Sequence, residues 1–364
     1  MDKNFDIQSY MTNGVLRIVK DSIESTLKNP KESLFLASFM KEVYAASEKR
    51  KIAENNGEHI PPFLIASITS NCNLHCAGCY SRCNNATTDE KNDNLLDREN
   101  WKKIFEEASE MGISFILLAG GEPLLRRDVI EEAANYKKIV FPIFTNGTFV
   151  NEKYLNLFDD NRNLVPIVSI EGEKDATDKR RGEGVYDRVI SNMNEFQKKD
   201  LLYGVSITIT KNNLYEVLSE KYIDMLHNKG VKVIIYVEYV PVDEKSETLA
   251  VDDVDRENVK NEIVKLRKKY EEMIFISFPG DEKSSDGCIA AGRGFFHISA
   301  LGYAEPCPFS PYSDVNIKNT SLREALKSKL FTLIKEGNLL KDDHKGGCVL
   351  FEKRNEIEKL LSNK

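Results

Sequence analysis

The sequence predicts an α/β protein: a partial (β/α)6 TIM barrel preceded by a helical extension and followed by a smaller α+β part. Three observations predict this class: short apolar runs recur through the middle of the chain, helical patterns separate them, and 41% of the residues are hydrophobic. Strands that are apolar on both faces belong to parallel sheets with helical crossovers. Residues 61–242 are too few for a full eight-stranded barrel, which needs roughly 250 residues, so an open barrel is expected.

The N-terminal part, residues 1–60, is predicted to be a helical extension. Apolar residues recur there every four positions, the spacing of one helical face: Val15, Val19, Ile23 and Leu27. A second helix is expected to begin at residues 29–30, since asparagine caps helices and proline fits their first position. The extension is expected either to pack on the barrel or to form an amphipathic docking surface for a partner or a lipid.

The barrel, residues 61–242, is predicted from apolar runs that alternate with helical patterns. The runs predicted to be strands are 63–69, 114–120, 139–145, 164–170, 204–210 and 231–240. The segments predicted to be helices are 97–111, 127–137, 151–158, 186–198 and 214–228. Because the carboxyl ends of parallel strands meet at one edge of the sheet, functional residues are expected there.

The C-terminal part, residues 243–364, has a different pattern and is expected to be a second functional module. Its predicted elements are a charged helix over 253–271, a strand over 273–278, a hairpin over 295–310, and helices near 321–335 and 350–361. It also holds three of the seven cysteines, Cys288, Cys307 and Cys348.

Composition and charge exclude several functions. Lys and Arg number 51 against 58 Asp and Glu and are scattered, so the net charge is −7 and no basic patch for nucleic acid is expected. The chain has no run of eighteen apolar residues and no signal-peptide pattern, so we expect no transmembrane segment and a cytoplasmic location. In a reducing compartment, clustered cysteines indicate metal or redox chemistry rather than disulfides.

Four cysteines lie close together directly after the first predicted strand: Cys72, Cys76, Cys79 and Cys83. Thiolates are preferred ligands of iron–sulfur clusters, zinc and copper(I). A zinc site with four protein ligands would use Cys83 as its fourth thiolate. A cubane held by the C-x3-C-x2-C triplet alone would leave one iron open to a substrate or cofactor. His75, inside the triplet, is expected to be a hydrogen-bonded loop residue.

The motif C-x3-C-x2-C after the first strand of a partial barrel resembles the radical S-adenosylmethionine (radical SAM) enzymes, and the resemblance covers residues 61–242. Other segments match the family at successive strand ends: "GGEP" (120–123), "TNG" (145–147), "SIEG" (169–172) and "TDKRRGEGVYDRVI" (177–190). The residues that this resemblance assigns to SAM binding are Gly120, Gly121, Glu122, Pro123, Asn146, Ser169, Glu171 and Arg181. It implies that Gly120–Glu122 face the amino group of SAM and that Arg181 pairs with its carboxylate.

The sequence departs from the family pattern in three places, one of which is Thr177-Asp178, where the family has a histidine followed by aspartate. The family often has an aromatic residue before the third cysteine, in contact with adenine, and here that position is Gly78. The contact is therefore expected from Tyr80 or from the backbone of residues 238–240. Glu171 stands where aspartate is usual, which makes the side chain one methylene longer.

The resemblance implies a [4Fe–4S] cluster on Cys72, Cys76 and Cys79, with SAM bound at the open iron. One electron from an external donor such as flavodoxin or ferredoxin would cleave SAM into methionine and a 5′-deoxyadenosyl radical. That radical would take a hydrogen atom from an unidentified substrate, while the protein positions the target atom. No catalytic residue is assigned from the sequence.

The second set of cysteines also resembles a known arrangement. The spacing C-x18-C around a hairpin, with "GYAEPC" at residues 302–307, resembles the SPASM and twitch extensions that carry auxiliary iron–sulfur clusters. One auxiliary cluster on Cys288, Cys307 and Cys348 is implied. Its fourth ligand would be one of three nearby residues, Asp342, Asp343 or His344. Otherwise one iron would stay open to substrate, or the three cysteines would be buried without metal.

The leading hypothesis from the sequence is a radical SAM oxidoreductase that oxidises or cross-links a peptide, a protein or a small metabolite. An auxiliary cluster suits such a reaction because it can accept the electron of the substrate. An alternative is an enzyme that modifies a lipid or a tetrapyrrole, with the N-terminal helices as its docking surface. A different class, a non-catalytic iron–sulfur or zinc-binding protein, would not need the SAM-binding segments.

Overall fold

The computed structural model describes residues 5–27, 29–90, 92–241, 244–278, 285–341 and 348–362. Its strands are β1 (Phe63–Thr69), β2 (Phe115–Gly120), β3 (Phe141–Thr145), β4 (Leu164–Ser169), β5 (Gly204–Ile209), β6 (Val233–Glu238), β7 (Ile274–Phe278), β8 (Phe295–Ile298) and β9 (Ala304–Glu305). The six strands predicted for the barrel are therefore present, and their ends lie within a few residues of the predicted ones.

The helices of the first half are α1 (Ile7–Ser25), α2 (Pro30–Asn55), α3 (Tyr80–Cys83), α4 (Arg98–Met111), α5 (Arg127–Ala133), α6 (Glu152–Asp160), α7 (Lys174–Arg181) and α8 (Val185–Lys198). Those of the second half are α9 (Leu214–Val217), α10 (Glu220–Asn228), α11 (Asp253–Lys269), α12 (Leu322–Ala325), α13 (Lys329–Glu336), α14 (Val349–Glu352) and α15 (Arg354–Ser362). Short 3-10 helices cover Pro123–Leu125 and Glu244–Leu249. The segment 214–228, predicted as one helix, is two helices because Ser219 caps α10 by accepting a hydrogen bond from the Tyr222 N–H.

The strands form one sheet in the order β7-β6-β5-β4-β3-β2-β1-β8-β9, parallel from β7 through β8, which is the curved sheet of a partial barrel. The strand predicted at 273–278 within the C-terminal part is β7, and it extends the barrel by pairing with β6. The ring of Phe278 in β7 packs against that of Phe295 in β8, with 5.4 Å between centroids. The sheet therefore curves until these two strands face each other.

The C-terminal hairpin continues the same sheet. β8 pairs in parallel with β1, and β9 is antiparallel to β8. This pairing brings the segment that carries Cys307 beside the strand that precedes the first cysteines. The division of the chain at residue 242 stays a prediction, since residues 242–243 lie outside the described residues.

α1 and α2 pack against the amino ends of the barrel strands. Val19 of α1 and Phe39 of α2 share an apolar cluster with Phe115 and Val165, which stand near the beginnings of β2 and β4. This is the packed-helix alternative of the two that the sequence left open. Leu27 was predicted on the apolar face, but it follows the end of α1 and is 70% exposed.

Polar contacts fasten α2 to the barrel. Asn29 caps the helix as predicted, with its side chain accepting a hydrogen bond from the Glu32 N–H at 3.3 Å. The Glu32 carboxylate accepts a hydrogen bond from the Leu202 N–H at 2.9 Å and pairs with Arg162. Within the described ranges, no helix is long and apolar enough to cross a membrane.

Candidate active site

The first cysteine set lies in the loop that leaves the carboxyl end of β1. Cys76 and Cys79 are joined by a tight turn, in which the Cys79 N–H donates to the Cys76 carbonyl at 3.2 Å. The Ala77 N–H donates to the carbonyl of Arg180 at 2.8 Å, which ties the loop to α7. Cys83 is exposed on α3.

Arg82 holds the cysteine loop in its bent shape. Its guanidinium donates to the carbonyls of Cys72 at 3.1 Å and Leu74 at 2.9 Å, and it pairs with Asp89 at 2.9 Å. The same carboxylate accepts a hydrogen bond from His75 Nε2 at 2.9 Å, so His75 is a hydrogen-bonded loop residue, as expected. Hydrogen bonds from His75 and Arg82 lower the pKa of Asp89.

The "GGEP" segment passes directly beside the cysteine loop. The Gly121 N–H donates to the Thr69 carbonyl at 2.9 Å, and the Glu122 N–H donates to the Asn71 carbonyl at 2.8 Å. A Cβ atom at Gly120 or Gly121 would overlap these same carbonyls, and Gly120 has a φ of +120°. The two glycines are therefore required for the close approach of backbone to backbone. Pro123 follows as the first residue of a 3-10 turn.

Glu122 joins the ends of β2 and β3. The side chain is 1% exposed, and its carboxylate accepts hydrogen bonds from Leu124 N at 2.9 Å, Thr145 Oγ1 at 2.7 Å and Asn146 N at 2.7 Å. Burial raises the pKa of this carboxyl, and the three hydrogen bonds oppose that shift. The sequence assigned Glu122 a charge for the SAM ammonium group, and the structure gives its carboxylate three internal donors as well.

Asn146 connects the "TNG" segment to the cysteine loop. Its side-chain nitrogen lies 4.0 Å from the sulfur of Cys72 and donates to Asn73 Oδ1 at 3.0 Å. Burial raises the pKa of the Cys72 thiol, and the nearby Glu122, Cys76 and Cys79 raise it further. A buried thiol of this kind forms a thiolate readily only beside positive charge, which a bound metal centre supplies.

Glu171 organises two adjacent arginines at the end of β4. One carboxylate oxygen accepts from Arg180 and from Arg181 Nε at 2.7 Å, and the other accepts from Thr208 N at 2.9 Å. The Arg181 side chain is 11% exposed and that of Glu171 is 1% exposed. Burial lowers the pKa of Arg181, but the charges of Glu171 and of the nearby Cys76 and Cys79 outweigh it and raise that pKa. Arg181 therefore keeps its positive charge inside the protein.

The three cysteines of the second set are brought together from distant parts of the chain. Cys288 donates its N–H to the Leu340 carbonyl at 2.8 Å, Cys307 follows β9, and Cys348 precedes α14. All three are buried. Burial raises the pKa of Cys307 well above its ordinary value, and the neighbouring Cys348 and Cys288 add to the shift. The predicted fourth ligands Asp342, Asp343 and His344 lie outside the described residues.

One cavity of 1060 Å³ joins the two cysteine sets. Its lining includes the six cysteines of the two sets together with Gly120, Gly121, Glu122, Asn146, Ser169 and Arg181. Glu171 and Pro123 are buried. The volume lies at the upper end of the range for small-molecule pockets, which is about 300–1,000 Å³.

The thiols do not form a site for a single metal ion. Among the residues that the structure describes, no three cysteine, histidine, aspartate or glutamate side chains are grouped tightly enough to hold one ion. The cysteines of a cubane each bind a different iron, so they stand around a body several atoms wide. With Cys83 exposed, the donor set fits a cluster held by Cys72, Cys76 and Cys79 better than a four-thiolate zinc site.

The residues expected near adenine have distinct surroundings. Tyr80 packs against Phe309 with 4.6 Å between ring centroids. A Cβ atom at Gly78 would overlap the ring of Tyr239, which lies in the 238–240 segment that the sequence singled out. Tyr80 and Tyr239 both line the cavity.

Sequence reasoning missed a buried polar chain between β1 and the C-terminal hairpin. Ser67 Oγ lies 2.7 Å from His297 Nε2, and His297 Nδ1 lies 2.8 Å from Glu305 Oε2. His297 is 3% exposed and Glu305 is 7% exposed. The chain fastens the hairpin that bears Cys307 to β1. The signal in the sequence was a histidine, His297, within the apolar run of β8, which indicates a buried polar contact.

Comparisons with known proteins agree with this geometry. Residues 66–214 match the family model described as the radical SAM superfamily. The AdoMet-dependent heme synthase of Methanosarcina barkeri is 26% identical over 320 residues, covering 80% of this chain and 88% of that protein. The GTP 3′,8-cyclase of Nautilia profundicola is 27% identical, and the match covers 75% of this chain and 88% of that protein. Streptococcus suis SuiB bound to its precursor peptide SuiA has a similar fold, with a TM-score of 0.64, 15% identity, and coverage of 87% and 75%.

Proposed function

Because this chain belongs to the radical SAM superfamily, we propose that it is a SAM-dependent enzyme that oxidises an organic substrate between its two cysteine sets. The observation that carries the proposal is the single cavity lined by six cysteines, by Gly120 and Gly121, and by Arg181. A site with two sets of thiols and a cation at its wall suits a charged cofactor and a redox reaction.

Cys72, Cys76 and Cys79 would hold the [4Fe–4S] cluster. The three thiols are free, face the cavity and stand on a loop that Arg82 already fixes. When bound, the cluster and SAM supply a 5′-deoxyadenosyl radical that removes hydrogen from the substrate. An external one-electron donor such as flavodoxin or ferredoxin belongs to the proposal. A reducing cytoplasm is part of the proposal, since clustered cysteines there serve metal or redox chemistry rather than disulfides.

The residues around the loop would bind and orient SAM. Arg181 offers a buried, permanently charged guanidinium to its carboxylate, and Glu171 fixes the direction of that group. Gly120 and Gly121 bring backbone beside the cysteine loop, where an amino group can be bound. Glu122, held by three donors, positions this backbone. Ser169 and Asn146 complete the polar wall of the cavity.

The second set would hold one auxiliary iron–sulfur cluster on Cys288, Cys307 and Cys348. Their burial and mutual proximity leave a thiolate unfavourable without a cation, which an iron cluster supplies. Such a cluster would accept the electron left on the substrate after hydrogen removal, which makes an oxidation the favoured reaction. A peptide, a protein or a small metabolite is the substrate of this main proposal.

A tetrapyrrole-modifying enzyme is the second candidate function. The relative named AdoMet-dependent heme synthase matches over most of its own length and most of this chain. That match, rather than any feature of the cavity, favours this candidate.

The proposal is tested by anaerobic reconstitution with iron and sulfide, reduction with dithionite, and addition of SAM. We expect 5′-deoxyadenosine and methionine in equal amounts, measured by liquid chromatography. A Cys76→Ala variant prepared alongside should give none. If the reconstituted intact protein binds iron but releases no 5′-deoxyadenosine, the enzymatic proposal is wrong.

A further inference from the structure

The interior of the barrel is hollow and mostly apolar, although four uncharged polar strand residues line the cavity: Ser169, Ser206, Thr208 and Ser277. Inward-facing strand residues are only partly buried although they lie at the centre of the fold; these are Ile65, Leu117, Phe144, Ile235 and Val237. The residues that alternate with them face the outer helices and are fully buried, each 0% exposed: Leu64, Ile116, Ile143, Ile234 and Tyr236. A closed eight-stranded barrel fills its interior with side chains, and this one leaves that space open.

We call this space the apolar chamber: the part of the cavity bounded by Ile65, Leu117, Phe144, Ile167 and Ile235. Val19 of α1 and Phe39 of α2 close it at the amino ends of the strands. The chamber opens toward the cysteine loop at the carboxyl ends. β1, with 7 residues, gives it a depth of about 20 Å at roughly 3.3 Å per residue.

Charged side chains are confined to the two ends of the cavity. The charged lining residues at the carboxyl ends of the strands are Arg82, Glu122, Arg180, Arg181 and Glu238, and those at the other end are Arg17, Asp21, Glu24, Arg267 and Glu271. Among the described strand residues that line the cavity, Glu238 is the one charged residue. The walls between these ends therefore offer no counter-ion for a charged group.

The geometry points to a long alkyl chain as the occupant of the apolar chamber. This inference rests on the proposed function and names the substrate class: a molecule with a hydrocarbon tail in the chamber and its reacting carbon near the first cysteine loop. A peptide inserted here would bury more backbone N–H and C=O groups than the few hydroxyls of the walls can pair with. The several carboxylates of a tetrapyrrole would find no cation along the chamber walls. A hydrocarbon chain meets neither penalty.

The test uses straight-chain alcohols from hexanol to dodecanol as probes, with the full-length reconstituted protein and SAM, followed by titration calorimetry. Each added methylene should tighten binding about fourfold, from a burial free energy of about 0.8 kcal/mol per methylene, until the depth is exhausted. Affinity that is independent of chain length, or tighter binding of coproporphyrin than of dodecanol, would overturn the inference.

Variants then place the alcohol. Ile235→Phe narrows the chamber and should weaken dodecanol binding tenfold or more, whereas Val264→Phe, on α11 and 42% exposed, should leave it unchanged. Leu117→Ala widens the chamber and should bind a branched alcohol better than the unmodified protein does. Equal dodecanol binding by all three variants would mean that the alcohol sits elsewhere and that the inference is wrong.

Cleavage of SAM by the unmodified protein is measured separately, so the two claims can fail independently. If the protein forms 5′-deoxyadenosine but does not bind the alcohols, only the inference of an alkyl-chain site is wrong. Alcohol binding that follows the predicted chain-length dependence without any 5′-deoxyadenosine overturns the enzymatic proposal and leaves the apolar binding site in place.

Discussion

The ring of Tyr80, one residue after Cys79, packs on the ring of Phe309, two residues after Cys307, with 4.6 Å between their centroids. This contact joins the two loops that carry the cysteine sets. Aromatic pairs of this kind contribute about 0.5–1.5 kcal/mol beyond their buried area. The spacing between the two sets is therefore fixed by packing within the chain.

Removing the ring of Phe309 should loosen this connection. Phe309→Ala should lower the free energy of unfolding by about 3 kcal/mol, since Phe309 is 8% exposed and the substitution leaves a cavity. Urea denaturation of the protein measures the change. Tyr303→Ala, on the same hairpin but 45% exposed, is the matched control and should change stability by about 0.5 kcal/mol or less. Equal losses in the two variants would mean that the contact has no special role.

The four cysteines near β1 should differ in their importance. Cys72→Ala, Cys76→Ala and Cys79→Ala should each abolish SAM cleavage, because each removes a proposed ligand that faces the cavity. Cys83→Ala should retain most of the activity, because Cys83 is exposed on α3. The measurement is 5′-deoxyadenosine formed per reconstituted protein. A requirement for Cys83 as strict as for the other three would contradict the ligand assignment.

Arg181 should contribute to the affinity for SAM. A charge-assisted hydrogen bond contributes about 1.5–3 kcal/mol, so Arg181→Ala should weaken SAM binding roughly tenfold or more. Arg181→Lys keeps the positive charge but lacks the planar guanidinium, so it should lose less affinity for SAM than Arg181→Ala does. Equilibrium binding of SAM to the reconstituted protein gives both values. As a control, Arg188→Ala alters an arginine whose described contacts are the carbonyls of Thr148 and Val150. An affinity that is the same in all four proteins would exclude a direct role for Arg181.

The buried pair of Glu32 and Arg162 should make stability depend on pH. Their side chains are 2% and 8% exposed, so Arg162→Ala leaves a buried carboxylate unpaired and should cost about 3–5 kcal/mol near neutral pH. Burial raises the pKa of Glu32 above its ordinary value of 4.5, and losing Arg162 raises it further. The folded variant therefore takes up a proton as the pH falls, and the cost should shrink toward pH 4.5.

A surface pair that also joins α2 to the barrel is the control for this effect. Lys138 and Glu42 lie 3.6 Å apart with the lysine 64% exposed, so Lys138→Ala should cost about 1 kcal/mol or less at any pH. Chemical denaturation of the three proteins from acidic to neutral pH gives the comparison. A cost for Arg162→Ala that stays constant with pH would show that Glu32 is not the titrating group.

Local sequence patterns were sufficient to predict the barrel strands. They did not predict which distant strands pair with each other. β1 runs from Phe63 to Thr69, as its apolar run predicts. A strand that is apolar on both faces is stable only where helices cover both faces of the sheet. β7 was found as a strand, but its pairing with β6 depends on contacts between residues far apart in sequence. Helix boundaries failed where a single cap decides them, as at Ser219.

Sequence motifs identified the candidate site residues, but they did not predict the side-chain contacts that hold these residues in place. The sequence singled out Arg181, but its neighbour Arg180 pairs with the same Glu171, and no pattern distinguishes two adjacent arginines. The link between Ser67 and His297 spans most of the chain, so neither residue alone signals it. Such contacts arise only when the sheet brings β1 and β8 together.

Iron content should separate the two cysteine sets. Reconstituted protein should hold about eight irons if both sets form cubanes, because a cubane contains four. A variant with Cys72, Cys76 and Cys79 all replaced by alanine should hold about four, since Cys288, Cys307 and Cys348 come from separate loops that remain intact. Replacing the second set instead should also leave about four irons, and this variant should still cleave SAM.

Four irons in the intact protein and none after removal of the first set would mean that the second set binds no cluster. The proposed electron acceptor would then be absent, and a single-cluster radical enzyme would account for the activity.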